Sequence, residues 1–166
     1  MPVSRFAVAA AAGAFAGLAA ITAYLAIERA VADHLPAGFC LMQLLQWDAS
    51  NAYGDAAFTG GWPVAGVGLA MDAVVSLIWG AIFTTLYLRA PAVRANLVVS
   101  GLVFGAIVMV VMLFAVVPLG HAIRMHDTAG HLVNVLVAHT VFFGLPLALA
   151  VRATAGRPAA MVRAPS

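Results

Sequence analysis

Two ionisable side chains lie deep inside long apolar runs: Asp72 within 64–88, and His139 within 131–151. Each sits eight residues from the start of its run. If both runs are helices entering from the same face, a rise of about 1.5 Å per residue puts both groups about 12 Å below that surface. A carboxylate at mid-bilayer is unfavourable by about 2.5–3.5 kcal/mol on insertion scales, so the fold must solvate, pair or protonate it. Asp72 and His139 are therefore expected as partners at one depth. Ser76, one turn beyond the acid, and Asn134, a turn or so above the histidine, extend the polar strip. Such a strip can hold a ligand, take up and release a proton, or join helices by hydrogen bonds in place of either. A lipid-edge position from which the side chains snorkel is the fourth reading.

A second constellation is His121, His126 and His131 at intervals of five, with Met125 and Asp127 among them and His34 in an earlier loop. Imidazoles with a carboxylate can bind zinc or copper. Five-residue steps, however, put no two of these on one helical face, and solvated loop histidines are the simpler reading. Haem would need two axial ligands at matched depth, and only His139 is deep. Nucleophilic catalysis has no support: there is no Gly-x-Ser-x-Gly elbow, phosphate-binding glycine loop or His-Glu-x-x-His helix. The sequence names no cofactor and gives no positive sign of an enzyme. Cys40 is the single cysteine, which excludes an internal disulfide and reads as packing. Met109 and Met112 read the same way.

The elements that must position these groups follow from composition. The chain has 166 residues, of which 64% are hydrophobic and 8% charged, against roughly 25% charged in ordinary soluble domains. Its solvent is lipid. A spanning helix needs about 20 apolar residues, and runs over 7–27, 64–88, 96–117 and 131–151 supply four. The expected fold is all-α, a four-helix transmembrane bundle over 1–152 with a cytoplasmic tail over 153–166. The first run exceeds the 7–15 apolar residues of a signal peptide and is expected to be retained.

Residues 28–63 form the longest polar connection. Within it 38–47 is apolar but too short to span, so an interfacial or re-entrant helix is expected there, with Gln43 and Gln46 on one face. Asp48-Ala-Ser-Asn51 is expected to cap or turn the backbone, and Gly60-Gly61-Trp62-Pro63 to open the second span. Trp47, Tyr53 and Trp62 suit the headgroup belt. Pro118 is expected to end the third span and Pro146 to bend the fourth.

All eight basic residues are arginine, and the formal charge is only +2, too little and too scattered for a nucleic-acid footprint. Arg5, Arg89, Arg94, Arg152, Arg157 and Arg163 fall on one side of a four-span threading; Arg29 and Arg124 fall on the other. The positive-inside rule makes the first side, with both termini, cytoplasmic. Small-residue stripes (Ala9, Gly13 and Gly17; Gly101 and Gly105) leave room for self-association into a homo-oligomer or for a helix of a larger membrane complex.

Several segments carry a resemblance. They are Gln46-Trp-Asp-Ala-Ser50 with Gly54, 56–61 (Ala-Ala-Phe-Thr-Gly-Gly), Val116-Val-Pro-Leu-Gly120, and His139 followed by Phe143-Gly-Leu-Pro-Leu-Ala148. Together they resemble a bacterial family of small four-span inner-membrane proteins, distantly similar to the YagU type, which has been linked with acid tolerance. The resemblance implies an inner-membrane bundle and no particular reaction. The family pattern has histidine where this chain has Asp72 and asparagine where it has Leu113, while the His139 position matches. An acid facing His139 is chemically unlike two facing imidazoles, so no metal or haem role carries over. Three functions are expected in order: a non-enzymatic accessory subunit or small-ligand binder with an outer-leaflet pocket at Asp72 and His139, a proton-coupled transporter using the same pair, and a metal- or haem-binding redox module.

Overall fold

The computed structural model describes residues 2–122 and 128–155. Arg124, His126, Arg157 and Arg163 lie outside them. The fold is an all-α bundle with no strand among the described residues. Helix α1 is Val3–Asp33 and α2 is Ala37–Tyr53, followed by a tight helical turn, Gly54–Thr59. Helix α3 is Gly61–Arg89, α4 is the short Pro91–Ala95, α5 is Leu97–Leu119 and α6 is Ala129–Ala155. Four of these, α1, α3, α5 and α6, are long and apolar enough to cross a bilayer. Large apolar side chains such as Val74, Ile78, Val99 and Val103 stand exposed on their outer faces. In water that surface would drive association; in lipid it is matched to its solvent. The chain is a multi-pass membrane protein.

The helix ends have local causes. Thr128 opens α6 by accepting a hydrogen bond from the His131 N–H at 3.2 Å. Pro91 starts α4, where its missing N–H is no loss. Arg94 folds back to donate to the Tyr87 and Leu88 carbonyls, at 2.9 and 2.8 Å, satisfying the open end of α3. At the end of α1, His34 adopts a left-handed conformation (φ 55°) and Leu35 N–H reaches the Ala30 carbonyl at 3.1 Å. Pro36 then prevents continuation and leads into α2.

The connection between the first two spans is helical over more of its length than the short helix expected at 38–47. Helix α1 continues past Glu28, with Arg29 and Asp33 one turn apart and 3.2 Å from each other. The apolar segment at 38–47 extends to Tyr53. Residues 48–51 do not turn the chain: Ser50 donates to the Trp47 carbonyl at 2.6 Å and Asn51 to that of Asp48 at 3.1 Å, both back along the same helix.

Both intramembrane prolines are preceded by a widened π-type turn. Residues Met112–Val116 precede Pro118, and Ala138–Gly144 precede Pro146. A proline ring removes one backbone bond and crowds the carbonyl four residues earlier, and the local widening accommodates that. Helix α5 carries through Pro118 to Leu119 before the chain extends at Gly120.

The small-residue stripes face inward, against the fourth span, and are not free for a second chain. Gly13 and Gly17 lie against Leu147, Val151 and Phe143, while Gly101 and Gly105 lie against Gly144 and the backbone of His139. The bundle is thus tightly closed at one end. There Ala9, Phe83, Tyr87, Leu97, Phe104, Leu147 and Val151 form the core, with Phe83 and Phe104 edge to face at 5.0 Å. Toward the other end the same helices line a cavity.

Candidate functional site

Helix α3 sets one wall of that cavity. Asp72, Ser76 and Trp79 are spaced four and three residues apart and so share one face. Trp79 packs edge-on against Phe104 at 5.9 Å, which joins the site's floor to the core. Helix α2 adds Leu44, Trp47 and Asp48 by the same periodicity. What brings α2 this close is Gly68, one turn before Asp72. Its bare α-carbon lies against the backbone of Leu45 and Ala49, where a side chain would collide with main-chain atoms. Asp48, next to Ala49, is thereby carried onto Asp72.

The Asp48 and Asp72 side chains both line the cavity and lie close enough to interact. Two carboxyls brought together out of water disfavour double ionisation, and one proton between them relieves the repulsion. Asp48 stands outside the four spans. Burial pushes its carboxyl well above the usual carboxylate range, and the Asp72 carboxylate and the bond to it add to the effect.

The facing wall is α6, with α1 beside it. His139 lies within the π-type turn, and its Nδ1 is 2.9 Å from the Val135 carbonyl. A carbonyl can only accept, so Nδ1 carries the proton and Nε2 of the neutral ring is an acceptor. Asn134 is held by Tyr24 of α1, whose hydroxyl donates to Oδ1 at 2.5 Å while its ring stacks on Phe142 with centroids 4.0 Å apart. Tyr24→Phe keeps the stack and removes the bond. It should lower unfolding stability in detergent by about 0.5–1.5 kcal/mol, toward the lower figure for a bilayer-embedded pair; an unchanged melting temperature would show the hydroxyl contributes nothing.

Asp72, Ser76, Asn134 and His139, singled out in the sequence, all line this one cavity of about 470 Å³. Asp72 and His139 do not bond directly. Asp72 is paired with Asp48, and His139 with its own helix. The pairing differs from the expected one because α2 folds against α3 and supplies a nearer carboxyl. Asp48 and Tyr24 are the polar groups that spacing did not bring forward. Asp48 carried a signal, since with Leu44 and Trp47 it continues a helical face; Tyr24 sits inside an apolar run with nothing to mark it. The cavity shares Glu28, Arg29, His131 and Asn134 with a shallower one of about 320 Å³.

The histidines proposed as metal ligands are dispersed. His34 ends α1, His121 follows α5, His131 stands in the first turn of α6, and His126 lies outside the described residues. Among the described residues, no three of His, Cys, Asp and Glu are grouped to hold a metal ion. Cys40 is fully buried in α2. No family model, no curated protein and no solved structure matches this chain.

Proposed function

We propose that this chain is a non-enzymatic protein of the bacterial inner membrane that binds a small ligand in the cavity between Asp48–Asp72 and His139. The observation that carries the reading is the cavity itself. Four spans and α2 surround about 470 Å³, within the range of about 300–1,000 Å³ typical of small-molecule sites. Its walls are mostly apolar, with a few polar groups converging from opposite sides. If those groups served only to join helices, they would meet one another across the bundle; Ser76 and His139 instead border open space. The arginine asymmetry supports cytoplasmic termini and a mouth on the outer face, and the resemblance to four-span inner-membrane proteins supports the compartment. Reporter fusions at either terminus that act only outside the cytoplasm would overturn the orientation.

The test is native mass spectrometry of the full chain released from lipid nanodiscs. A small molecule should be retained by the wild type and lost in a variant that fills the cavity, Ser76→Phe. Retention of the same molecule by that variant, or an empty wild-type cavity that admits no aromatic probe, would defeat the reading. The proton held between Asp48 and Asp72 favours a second reading, proton-coupled transport. Proton flux into proteoliposomes that vanishes in Asp72→Asn would establish it in place of simple binding.

A further inference from the structure

The polar groups around the cavity are unequal in kind, and their inventory indicates what would fit. The carboxyl pair presents several oxygens and a single shared proton. His139 presents Nε2 as an acceptor, because Nδ1 is bound to Val135. Ser76 is only 5% exposed and lines the cavity, adding a hydroxyl that can donate or accept. Acceptors therefore outnumber donors at the inner end. The walls between them are aromatic: Trp47, Trp79 and Phe143 border the same space, and ring faces attract cations.

We infer that the cavity takes a lipophilic organic cation, a protonated amine on an apolar body, whose ammonium replaces the proton shared by Asp48 and Asp72. The inference rests on the ligand-binding reading above and names the ligand's class. The exchange balances. Before binding, the pair holds one proton and one negative charge; afterwards two carboxylates hold one ammonium, and one proton leaves for solvent. Net charge at the site is unchanged, and the two charges the exchange adds are of opposite sign and in contact, which offsets their desolvation inside a bilayer. Other charged or titratable groups bordering the cavity are Glu28 and Arg29 from α1 and His131 and His139 from α6; the bordering residues of α5 are all apolar. Glu28 and Arg29 are of opposite sign and stand at the mouth, away from the pair.

Three probes of one shape separate the possibilities: 3-phenylpropylamine, 3-phenylpropanol and 3-phenylpropionate. Binding is read from Trp47 and Trp79 fluorescence in the full chain carrying Trp62→Phe, which removes the exposed tryptophan outside the cavity. The ammonium should bind best, with affinity rising up to about tenfold per pH unit while the pair holds its proton. Calorimetry in two buffers of different ionisation enthalpy should count one proton released. The double variant Asp48→Asn with Asp72→Asn should weaken ammonium binding at least about tenfold and remove the preference for the ammonium over the alcohol, with a cooperative unfolding transition showing that the variant is folded. Preference for the alcohol or the carboxylate, or ammonium binding without proton release, would overturn the inference and leave the ligand-binding reading standing. Failure of all three probes to bind would overturn both.

Discussion

Raising the pH is expected to destabilise the folded bundle, and Asp48→Asn is expected to abolish most of that dependence. The sign follows from the carboxyl pair. Burial, and after it the neighbouring Asp72, pushes the Asp48 carboxyl well above its ordinary value of 3.8. The folded protein therefore keeps a proton that the unfolded chain has already released. Wherever the folded state binds more protons, stability falls as pH rises, at up to about 1.4 kcal/mol per pH unit for one proton. The contribution is fully present below the ordinary value, declines above it, and levels off once the folded pair has ionised. Unfolding in detergent across about pH 4 to pH 8 reads the slope directly. In Asp48→Asn the amide can donate to Asp72 without a titrating proton, so the bond survives and the slope flattens. Asp48→Leu instead leaves Asp72 without its partner and should lower stability by about 1–3 kcal/mol. Equal slopes in the wild type and Asp48→Asn would remove the carboxyl pair from the explanation.

The same pair shows where sequence reading reaches its limit. Apolar length is a one-dimensional property, so the four spans and the short helix before the second were readable, as was the intramembrane acid. Helix ends were less so. Asp48-Ala-Ser-Asn51 has the composition of a turn, but its hydroxyl and amide bond back along α2, and a side chain's choice between capping and back-bonding depends on what packs outside it. Partner choice was less readable still. Equal depth suggested His139 for Asp72, yet depth says nothing of azimuth, and the decisive contact is a bare α-carbon on α3 against main chain on α2. Glycines in a membrane helix are common, and nothing in their spacing tells Gly68, which seats α2, from Gly66, which faces open space. The stripes at Gly13 and Gly17 and at Gly101 and Gly105 were visible as close-approach surfaces, but which helix covered them was not. The prolines did mark their spans: each follows a widened turn, and both turns contribute residues to the cavity wall.

Gly66 and Gly68 give the second large effect, with opposite signs at two positions on one helix. Replacing glycine by alanine inside a helix gains about 1 kcal/mol of intrinsic propensity. At Gly66 an added methyl meets nothing within 4 Å, so Gly66→Ala should be neutral or stabilising by up to about 1 kcal/mol. At Gly68 the methyl would overlap the Leu45 carbonyl, with the Ala49 nitrogen 3.0 Å away. Both are main-chain atoms of α2, and no side-chain rotamer can relieve the overlap. Overpacking of this kind costs about 1–3 kcal/mol, more than the propensity gain offsets, so Gly68→Ala should be net destabilising. The helix can escape only by lifting away from α3, and that motion separates Asp48 from Asp72. Gly68→Ala should therefore lose pH dependence along with stability, though no titratable group has been altered. A purely local steric defect would lower the melting temperature at every pH and leave the slope intact. The slope measured in Gly68→Ala, set beside that of Asp48→Asn, decides whether the seating of α2 assembles the carboxyl pair.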